Sequence, residues 1–226
     1  MPLEVPPPPA GLLDLPARPI VGTRLQRIYR RRREQPWWFA SIPAGAADAD
    51  RQAGGRFDLD APDGTCYLAT TPLAAVLEVF QGYGRGLLPD AELRERVRAE
   101  VTVPTGFRPA AWLTRSRARG RGVTQALWAS DDRPLTQRWA TALRRAGWVA
   151  LFHGIQHDPS GRLRGVSLFD RTGAHPPLDD ALGWVHTDHE LHTDPAIAAG
   201  LARYGITVTR SDPNLPVVSL DDSGLV

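Results

Sequence analysis

The chain has 226 residues, a formal net charge of +2, 42% hydrophobic residues and 23% charged residues, a composition typical of a globular protein with a sizeable core. All 27 of its basic Lys and Arg residues are Arg, which excludes a Walker-type phosphate lysine and a Schiff-base lysine. A net charge this small does not by itself indicate a nucleic-acid partner. The single cysteine, Cys66, excludes an internal disulfide and a cysteine-based zinc site, and its apolar neighbours predict a small buried hydrophobe.

Three regions are distinguished by composition. Residues 1–20 contain Pro6-Pro7-Pro8-Pro9 and are interpreted as a loose or extended N-terminal arm. Residues 21–175 form the main domain, and residues 176–226 form a C-terminal extension that we expect to pack on it. No apolar run is long enough to span a membrane and the start does not resemble a signal peptide, so we expect a cytoplasmic protein.

The first half of the main domain opens on a strand, because residues 22–29 alternate apolar and polar side chains. The basic run at residues 30–33 is either a solvated segment or a rim that attracts phosphate. The aromatic run Trp37-Trp38-Phe39 either fills the core or lines a pocket.

Residues 54–80 are the stretch around which the domain is organised. They begin with Gly54-Gly55-Arg56-Phe57, pass through a strand at 66–69, and enter an apolar helix at 74–80 that carries Glu78. An ionised Glu among apolar residues needs a partner or a function. We therefore predict that Arg56 and Glu78 belong to one site that handles a nucleotide.

The remaining elements follow from periodicity and from helix and turn signals. A glycine-rich connector is predicted at 81–86, because no phosphate-binding fingerprint fits it. Helices are predicted at 90–98, 134–146 and 195–204; strands are predicted at 101–107, 110–113, 148–155, 165–170 and 206–209.

Several other chemistries have candidates. His186, His189 and His192 are either metal ligands on one helix face or solvated loop histidines. His153 and His157 either stabilise a β-pair or act as pocket donors. No G-x-S-x-G elbow is present, and a glycosidase-type pair would need Asp58 or Asp60 beside Glu78. The remaining candidates are Arg and Glu side chains. Arg binds phosphate, and Glu stabilises an oxocarbenium ion or holds a ribose hydroxyl.

The ordered motifs resemble the RES domain family, which comprises NAD-degrading bacterial proteins that are commonly toxins of RES–Xre toxin–antitoxin pairs. The resemblance covers about residues 22–170 and rests first on residues 25–29 (LQRIY), 54–57 (GGRF), 65–69 (TCYLA) and 74–79 (AAVLEV). Residues 136–140 (TQRWA), Gly147 and 168–170 (LFD) resemble the family's C-terminal half.

The resemblance implies an α+β, ADP-ribosyltransferase-like fold, with a mixed or antiparallel split sheet and flanking helices. By the same resemblance Arg27 and Arg56 hold the NAD diphosphate, Tyr67 belongs to the pocket, and Glu78 faces the nicotinamide ribose as the catalytic carboxylate with both arginines. His153 is a further candidate for NAD binding. The family serine has no matching Ser: Thr136 supplies the nearest hydroxyl, and Ser160 lies in a turn.

The implied function is cleavage of the nicotinamide–ribose bond of NAD by phosphorolysis or hydrolysis, with inorganic phosphate as a possible co-substrate and no prosthetic group or metal. The expected partner is an Xre-type helix-turn-helix antitoxin, through which any nucleic-acid contact would be indirect. Two alternatives stay open: an ADP-ribosyltransferase that modifies a macromolecule, and a non-catalytic module that binds a nucleotide or a partner.

Overall fold

The computed structural model describes residues 3–80, 86–177 and 183–210. Its helices are α1 (Asp48–Ala53), α2 (Pro72–Phe80), α3 (Asp90–Arg94), α4 (Ala126–Ala129), α5 (Arg133–Arg145) and α6 (Pro195–Arg203). Its strands are β1 (Ala17–Arg18), β2 (Arg24–Arg30), β3 (Ser41–Ile42), β4 (Leu59–Asp60), β5 (Asp63–Ala69), β6 (Leu87–Pro89), β7 (Arg96–Thr102), β8 (Ala110–Trp112), β9 (Ala150–Gly154), β10 (Arg164–Arg171), β11 (Val185–Glu190) and β12 (Thr207–Thr209). Short 3-10 helices lie at Pro9–Leu12, Arg31–Arg33 and Ser116–Arg121.

Eight of the described strands form one sheet in the order β1-β8-β9-β10-β5-β2-β7-β11. Neighbouring strands run antiparallel except for β8 and β9, which are parallel. Two small parallel pairs, β3 with β4 and β6 with β12, lie outside this sheet. The predicted α+β class with a mixed sheet and flanking helices is confirmed.

The sheet is open at one place. β5 pairs with β10 from Asp63↔Arg171 to Ala69↔Gly165, and β2 pairs with β7 along its whole length. Between them β2 and β5 share the single pair Gln26↔Ala69. The sheet therefore consists of two halves that separate beyond this pair, which leaves backbone groups of β5 available to side chains.

Helices α2 and α5 lie on the same face of the sheet, which we call the helical face. Tyr67 packs with the cluster around Trp139 of α5, and Ala69 packs with α2 and α6. Because alternate strand residues share a face, these two contacts put both helices on one side. The opposite face holds Trp37, Phe39, Cys66 and their neighbours.

Local sequence explains where the two helices of this face begin. The Asp132 side chain accepts a hydrogen bond from the Leu135 N–H at 2.9 Å, and Pro134 occupies the first turn of α5, two features that favour a helix start. Thr71 Oγ1 accepts from the Ala74 N–H at 3.2 Å and caps α2 in the same way. The predicted helices at 134–146 and 74–80 are confirmed within a few residues.

The predicted helix over 90–98 is wrong in its second half. It ends at Arg94, and β7 begins at Arg96. Val97, Ala99 and Val101 of β7 all pack into the opposite-face core, so the period-two alternation from Arg96 onward describes a strand. The acidic start and basic end of 90–98 suit a helix, but the burial of alternate residues decides the structure.

The N-terminal arm is packed rather than loose. Leu12 and Leu15 are buried with Trp139 and the rest of the α5 cluster. Two tryptophan N–H groups also hold it: Trp139 Nε1 donates to the Glu4 carbonyl at 2.8 Å, and Trp148 Nε1 to the Leu12 carbonyl at 3.0 Å. β1 pairs with β8, so the arm also supplies an edge strand of the sheet.

The described part of the C-terminal region also joins the fold. β11 forms the other edge of the main sheet by pairing with β7, and β12 pairs with β6. Gly200 of α6 lies so close to α2 that an added Cβ would come within 2.8 Å of Leu73 Cδ1. Within the described ranges no helix is long and apolar enough to cross a membrane. The connector predicted at 81–86 lies outside the described residues except for Gly86.

Candidate active site at the open sheet

Arg27 occupies the gap between β2 and β5. Its side chain is 6% exposed, and its Nη1 donates to the backbone carbonyl of Tyr67 at 2.5 Å, a group that no strand covers at this point. Its Nε is buried and has no hydrogen-bond partner among the described residues. Because that nitrogen has no accessible surface, it does not donate to a ligand in this conformation, and a role for Arg27 in NAD binding stays a prediction. The structure thus brings the Arg27 side chain to the backbone of Tyr67; that both residues bind NAD stays a prediction.

The loop at residues 54–58 is closed by a tyrosine–aspartate pair. Tyr67 Oη donates to Asp58 Oδ1 at 2.7 Å and accepts from the Phe57 N–H at 2.9 Å. The other carboxylate oxygen of Asp58 accepts from the Gly55 N–H at 2.6 Å. Burial raises the pKa of the Asp58 carboxyl, against these hydrogen bonds to its charged form. Asp58 therefore holds the loop that presents Arg56, a role the sequence did not assign to it.

Close packing surrounds both glycines of the G-G-R motif and restricts Gly55 most. A Cβ on Gly55 would lie 2.5 Å from the Tyr67 hydroxyl and 2.6 Å from Asp58 Oδ1. A Cβ on Gly54 would lie 2.5 Å from Ile42 Cδ1. Gln137 of α5 supports the same loop, because its Nε2 donates to the carbonyls of Arg51 at 2.8 Å and Gly55 at 3.0 Å. The motif is therefore a loop clamped between β5 and α5.

Arg56 is held on the helical face by backbone and amide oxygens. It is 8% exposed, and its two terminal nitrogens donate to the Ser130 carbonyl and to Gln156 Oε1. Burial, together with the nearby charge of Arg133, lowers the pKa of Arg56 to about 10, while Glu78 acts in the opposite direction. Arg56 remains cationic at neutral pH.

Glu78 lies on α2, within electrostatic range of this arginine. Burial raises the pKa of the Glu78 carboxyl; the charges of Arg56 and Arg133 and a hydrogen bond from the backbone N–H of Gln156 act against that rise. Glu78 forms no ion pair of 4.0 Å or less with another described residue. Arg56 and Glu78 thus lie within electrostatic range of each other, and their membership of one nucleotide site stays a prediction.

Arg133 is a second residue that the sequence did not single out. It opens α5 and is partly exposed. Its charge influences the pKa of Arg56, Glu78, Asp58 and Tyr67, so its guanidinium lies within electrostatic range of all four. Among the described residues that guanidinium has no hydrogen bond or ion pair. Its position between the helix-capping Asp132 and Pro134 is the signal that would have located it at a helix start.

His153 packs against Phe57 of the loop at residues 54–58, and its ring is neutral. Its Nδ1 lies 2.9 Å from the Gly154 carbonyl, which only accepts, so Nδ1 carries the proton and Nε2 accepts from Ser167 Oγ at 3.0 Å. Burial, aided by the charge of Arg56, lowers the pKa of His153 to about 4. Its ring packs on Phe57 with centroids 4.8 Å apart. Both ring nitrogens are used internally, and a role for His153 in NAD binding stays a prediction.

The hydroxyls considered as replacements for a family serine are used elsewhere. Thr136 is 0% exposed, and its Oγ1 donates to the Arg133 carbonyl within α5 at 3.0 Å. Ser160 Oγ donates to Asp158 Oδ1 at 2.6 Å in the turn after β9. In this conformation Thr136 offers no surface to a ligand, so its role in NAD binding also stays a prediction.

The histidines of the C-terminal region do not share a helix face. His186 and His189 lie on strand β11, and His192 follows it, so the i, i+3, i+6 spacing does not align them. His192 Nδ1 lies 3.5 Å from Glu190 Oε2. Across the residues that the structure describes, no group of three or more His, Cys, Asp and Glu side chains is arranged to hold a metal ion.

Comparisons with known proteins complete this description. No curated protein matches the chain significantly. Among solved structures, one similar chain comes from the crystal structure of the M. tuberculosis MbcT–MbcA toxin–antitoxin complex, with a TM-score of 0.44 and 16% identity, over 78% of this chain and 92% of that chain. The family model of the RES domain matches residues 24–192, which is most of the chain and includes every motif residue of the open sheet. The chain belongs to the RES domain family.

Proposed function

We propose that this protein consumes NAD by breaking the bond between nicotinamide and its ribose. The observation that carries the proposal is the charge pattern on the helical face. Glu78 lies within electrostatic range of Arg56 and Arg133 and forms no ion pair of 4.0 Å or less with either within the described residues. NAD has a matching pattern, with an anionic diphosphate and a cationic nicotinamide ring.

In this proposal the arginines bind the diphosphate of NAD. The Arg133 guanidinium makes no hydrogen bond or ion pair within the described structure, and Arg suits bidentate contacts to phosphate oxygens. The family resemblance assigns Arg27 to the diphosphate as well, and that role is part of the proposal. Arg56 has both terminal nitrogens engaged, so its contribution is the electrostatic one of a fixed, partly desolvated positive charge. Binding the diphosphate here would bring the nicotinamide ribose towards α2.

In this proposal Glu78 stabilises the transition state for cleavage of the nicotinamide–ribose bond. As the nicotinamide–ribose bond breaks, its electron pair goes to the ring nitrogen, which becomes neutral, and the ribose anomeric carbon becomes cationic. A fixed carboxylate next to that carbon lowers the energy of this transition state, and removing one such preorganised group typically costs about 2.7–4 kcal/mol. An oxygen of phosphate or water then bonds to the carbon, which yields ADP-ribose phosphate, or ADP-ribose with release of one proton.

The partner proposal rests on family membership. Members of the RES family are commonly toxins that act with a helix-turn-helix antitoxin, and we propose that this chain is a toxin of such a pair. Co-expression with the product of the adjacent reading frame, followed by co-purification, tests this. A helix-turn-helix protein that binds the chain and restores growth supports the proposal; an adjacent product that does neither contradicts it.

The central test is NAD consumption by Glu78→Gln. We expect the variant to lose activity by about 10²–10³-fold while folding normally, because Gln keeps the shape and removes the charge. Glu95→Gln is the matched control, since Glu95 is exposed on the surface and should keep wild-type activity. Wild-type NAD loss in Glu78→Gln would overturn the mechanism.

The products separate the remaining alternatives. With labelled NAD, free ADP-ribose or its phosphate supports the proposed reaction, and dependence on added phosphate identifies the acceptor. Label on protein or nucleic acid would instead favour an ADP-ribosyltransferase. Calorimetric binding of NAD without consumption would favour a non-catalytic module.

A further inference from the structure

A second arginine-rich cavity lies on the opposite face of the sheet. It has a volume of about 400 Å³ and is lined by Arg18, Trp112, Thr114, Arg115, Ser116, Phe152 and Arg164. Phe152 lines this cavity, whereas the next residue of β9, His153, packs against Phe57 on the helical face. Since successive strand residues point to opposite faces, the sheet separates this cavity from the candidate active site.

Aromatic rings, rather than carboxylates, hold two of the arginines in place. The guanidinium carbon of Arg18 lies 4.8 Å from the Trp112 ring centroid and 5.2 Å from that of Phe152. The guanidinium carbon of Arg115 lies 4.9 Å from the Trp112 centroid. Such cation–π contacts orient an arginine without neutralising it. Among the described residues neither guanidinium makes a hydrogen bond or an ion pair, so its N–H groups are available.

The third arginine is fixed by backbone. Arg164 Nη1 donates to the carbonyls of Gly161 at 2.6 Å and Leu163 at 2.8 Å, which holds the guanidinium at the cavity wall. Thr114 Oγ1 accepts from Trp112 Nε1 at 3.0 Å and so keeps its own proton to donate. No carboxylate occurs among the described residues that line the cavity. The lining therefore presents three positive charges and hydroxyl donors.

We propose that this cavity binds a small phosphorylated anion, for which inorganic pyrophosphate is the simplest probe. Its volume falls within the range of small-molecule sites, about 300–1,000 Å³. Three arginines around one space match the several negative charges of an oligophosphate better than a single carboxylate. The Trp112 ring is already covered by cations, so phosphate rather than a stacked base is the group recognised. The proposal is independent of the proposed NAD chemistry.

Isothermal titration with pyrophosphate at fixed ionic strength and pH 8 tests the site. The double variant Arg18→Gln/Arg115→Gln should bind about tenfold or more weakly, because each Gln removes a charge but keeps hydrogen-bonding capacity. Arg117→Gln is the control, since Arg117 is exposed in the same 3-10 helix but outside the lining. We expect that control to bind within about twofold of the wild type.

Two further variants keep the test decisive. Arg133→Gln, on the helical face, should leave the cavity-dependent binding unchanged; loss of all pyrophosphate binding in this variant would assign the effect to the active site and overturn the proposal. Arg115→Gln alone, whose side chain is exposed, replaces the double variant if that one does not fold.

Equal weakening by Arg117→Gln would indicate a diffuse positive field and reject a built site, as would the absence of pyrophosphate binding by the wild type. If a glutamate-rich peptide binds in an Arg18- and Arg115-dependent way and pyrophosphate does not, the cavity recognises an acidic protein segment and the phosphate proposal fails.

Discussion

Replacing Tyr67 with Phe removes one hydroxyl that serves two buried partners. That hydroxyl donates to Asp58 at 2.7 Å and accepts from the Phe57 N–H at 2.9 Å. Asp58 is 5% exposed, and after the change its only remaining side-chain contact in the described structure would be the Gly55 N–H. Tyr67→Phe therefore leaves a buried carboxylate poorly solvated and a backbone N–H unpaired.

The expected loss of stability follows from these two effects. A hydrogen bond to a charged group contributes about 1.5–3 kcal/mol, and an unsatisfied buried N–H costs about 1–3 kcal/mol. Because the two share one oxygen and the loop can relax, we expect a net loss of about 3 kcal/mol in the free energy of unfolding. The same change should raise the KM for NAD more than it lowers kcat, since the loop carries Arg56.

Urea denaturation measures the effect, and Tyr204→Phe provides a matched control. Tyr204 Oη also donates to a buried carboxylate, Asp158, at 2.9 Å. Asp158 keeps three other donors, from the N–H and hydroxyl of Ser160 and the N–H of Leu163, so the control should lose about 1 kcal/mol or less. A Tyr67→Phe protein within about 0.5 kcal/mol of the wild type would refute this account of the loop.

Three other predictions concern packing and pH. Gly55→Ala should destabilise by about 1–3 kcal/mol through overpacking against Tyr67 and Asp58, whereas Gly120→Ala, with nothing within 4 Å of its Cβ, should denature like the wild type. Because the pKa of His153 is about 4 in the folded state and 6.5 for the free group, the unfolded chain binds the proton first. Stability should fall by about 3 kcal/mol as pH drops from 6.5 to 4, and His153→Gln should lack this part of the slope in pH-dependent denaturation. The pKa of Glu78 is raised on folding, so ionisation of Glu78 favours the unfolded state as pH rises above 4.5. The difference in melting temperature, Glu78→Gln minus wild type, should therefore be larger at pH 8 than at pH 4.5. A difference that does not change with pH would contradict the burial of this charge.

Local patterns in the sequence predicted most of the elements correctly. The alternation in residues 22–29, the capped helix at 134–146 and the β-pair at 148–155 and 165–170 all correspond to observed elements, because each pattern depends on neighbours along the chain. The residues after Arg94 were assigned to the wrong element, since charge order and alternation disagreed there. The packing of the proline-rich arm was missed because Leu12 and Leu15 are buried by α5, which lies far away in the sequence.

The sequence by itself predicted the family, which the family model confirms, because short motifs stand in a characteristic order along the chain. The same motifs predict a site made of Arg27, Arg56, Tyr67 and Glu78, and that assignment stays a prediction. Only the tertiary structure decided where these residues lie relative to one another. Only one residue pair joins β2 to β5 in the described structure, so the two halves of the sheet separate beyond it. The charge of Arg133, at the start of α5, acts on both Arg56 and Glu78. Asp58 and Gln137 hold the loop through contacts that are set by three-dimensional packing. Such contacts depend on register and burial, and neither is encoded by the spacing of residues within a motif.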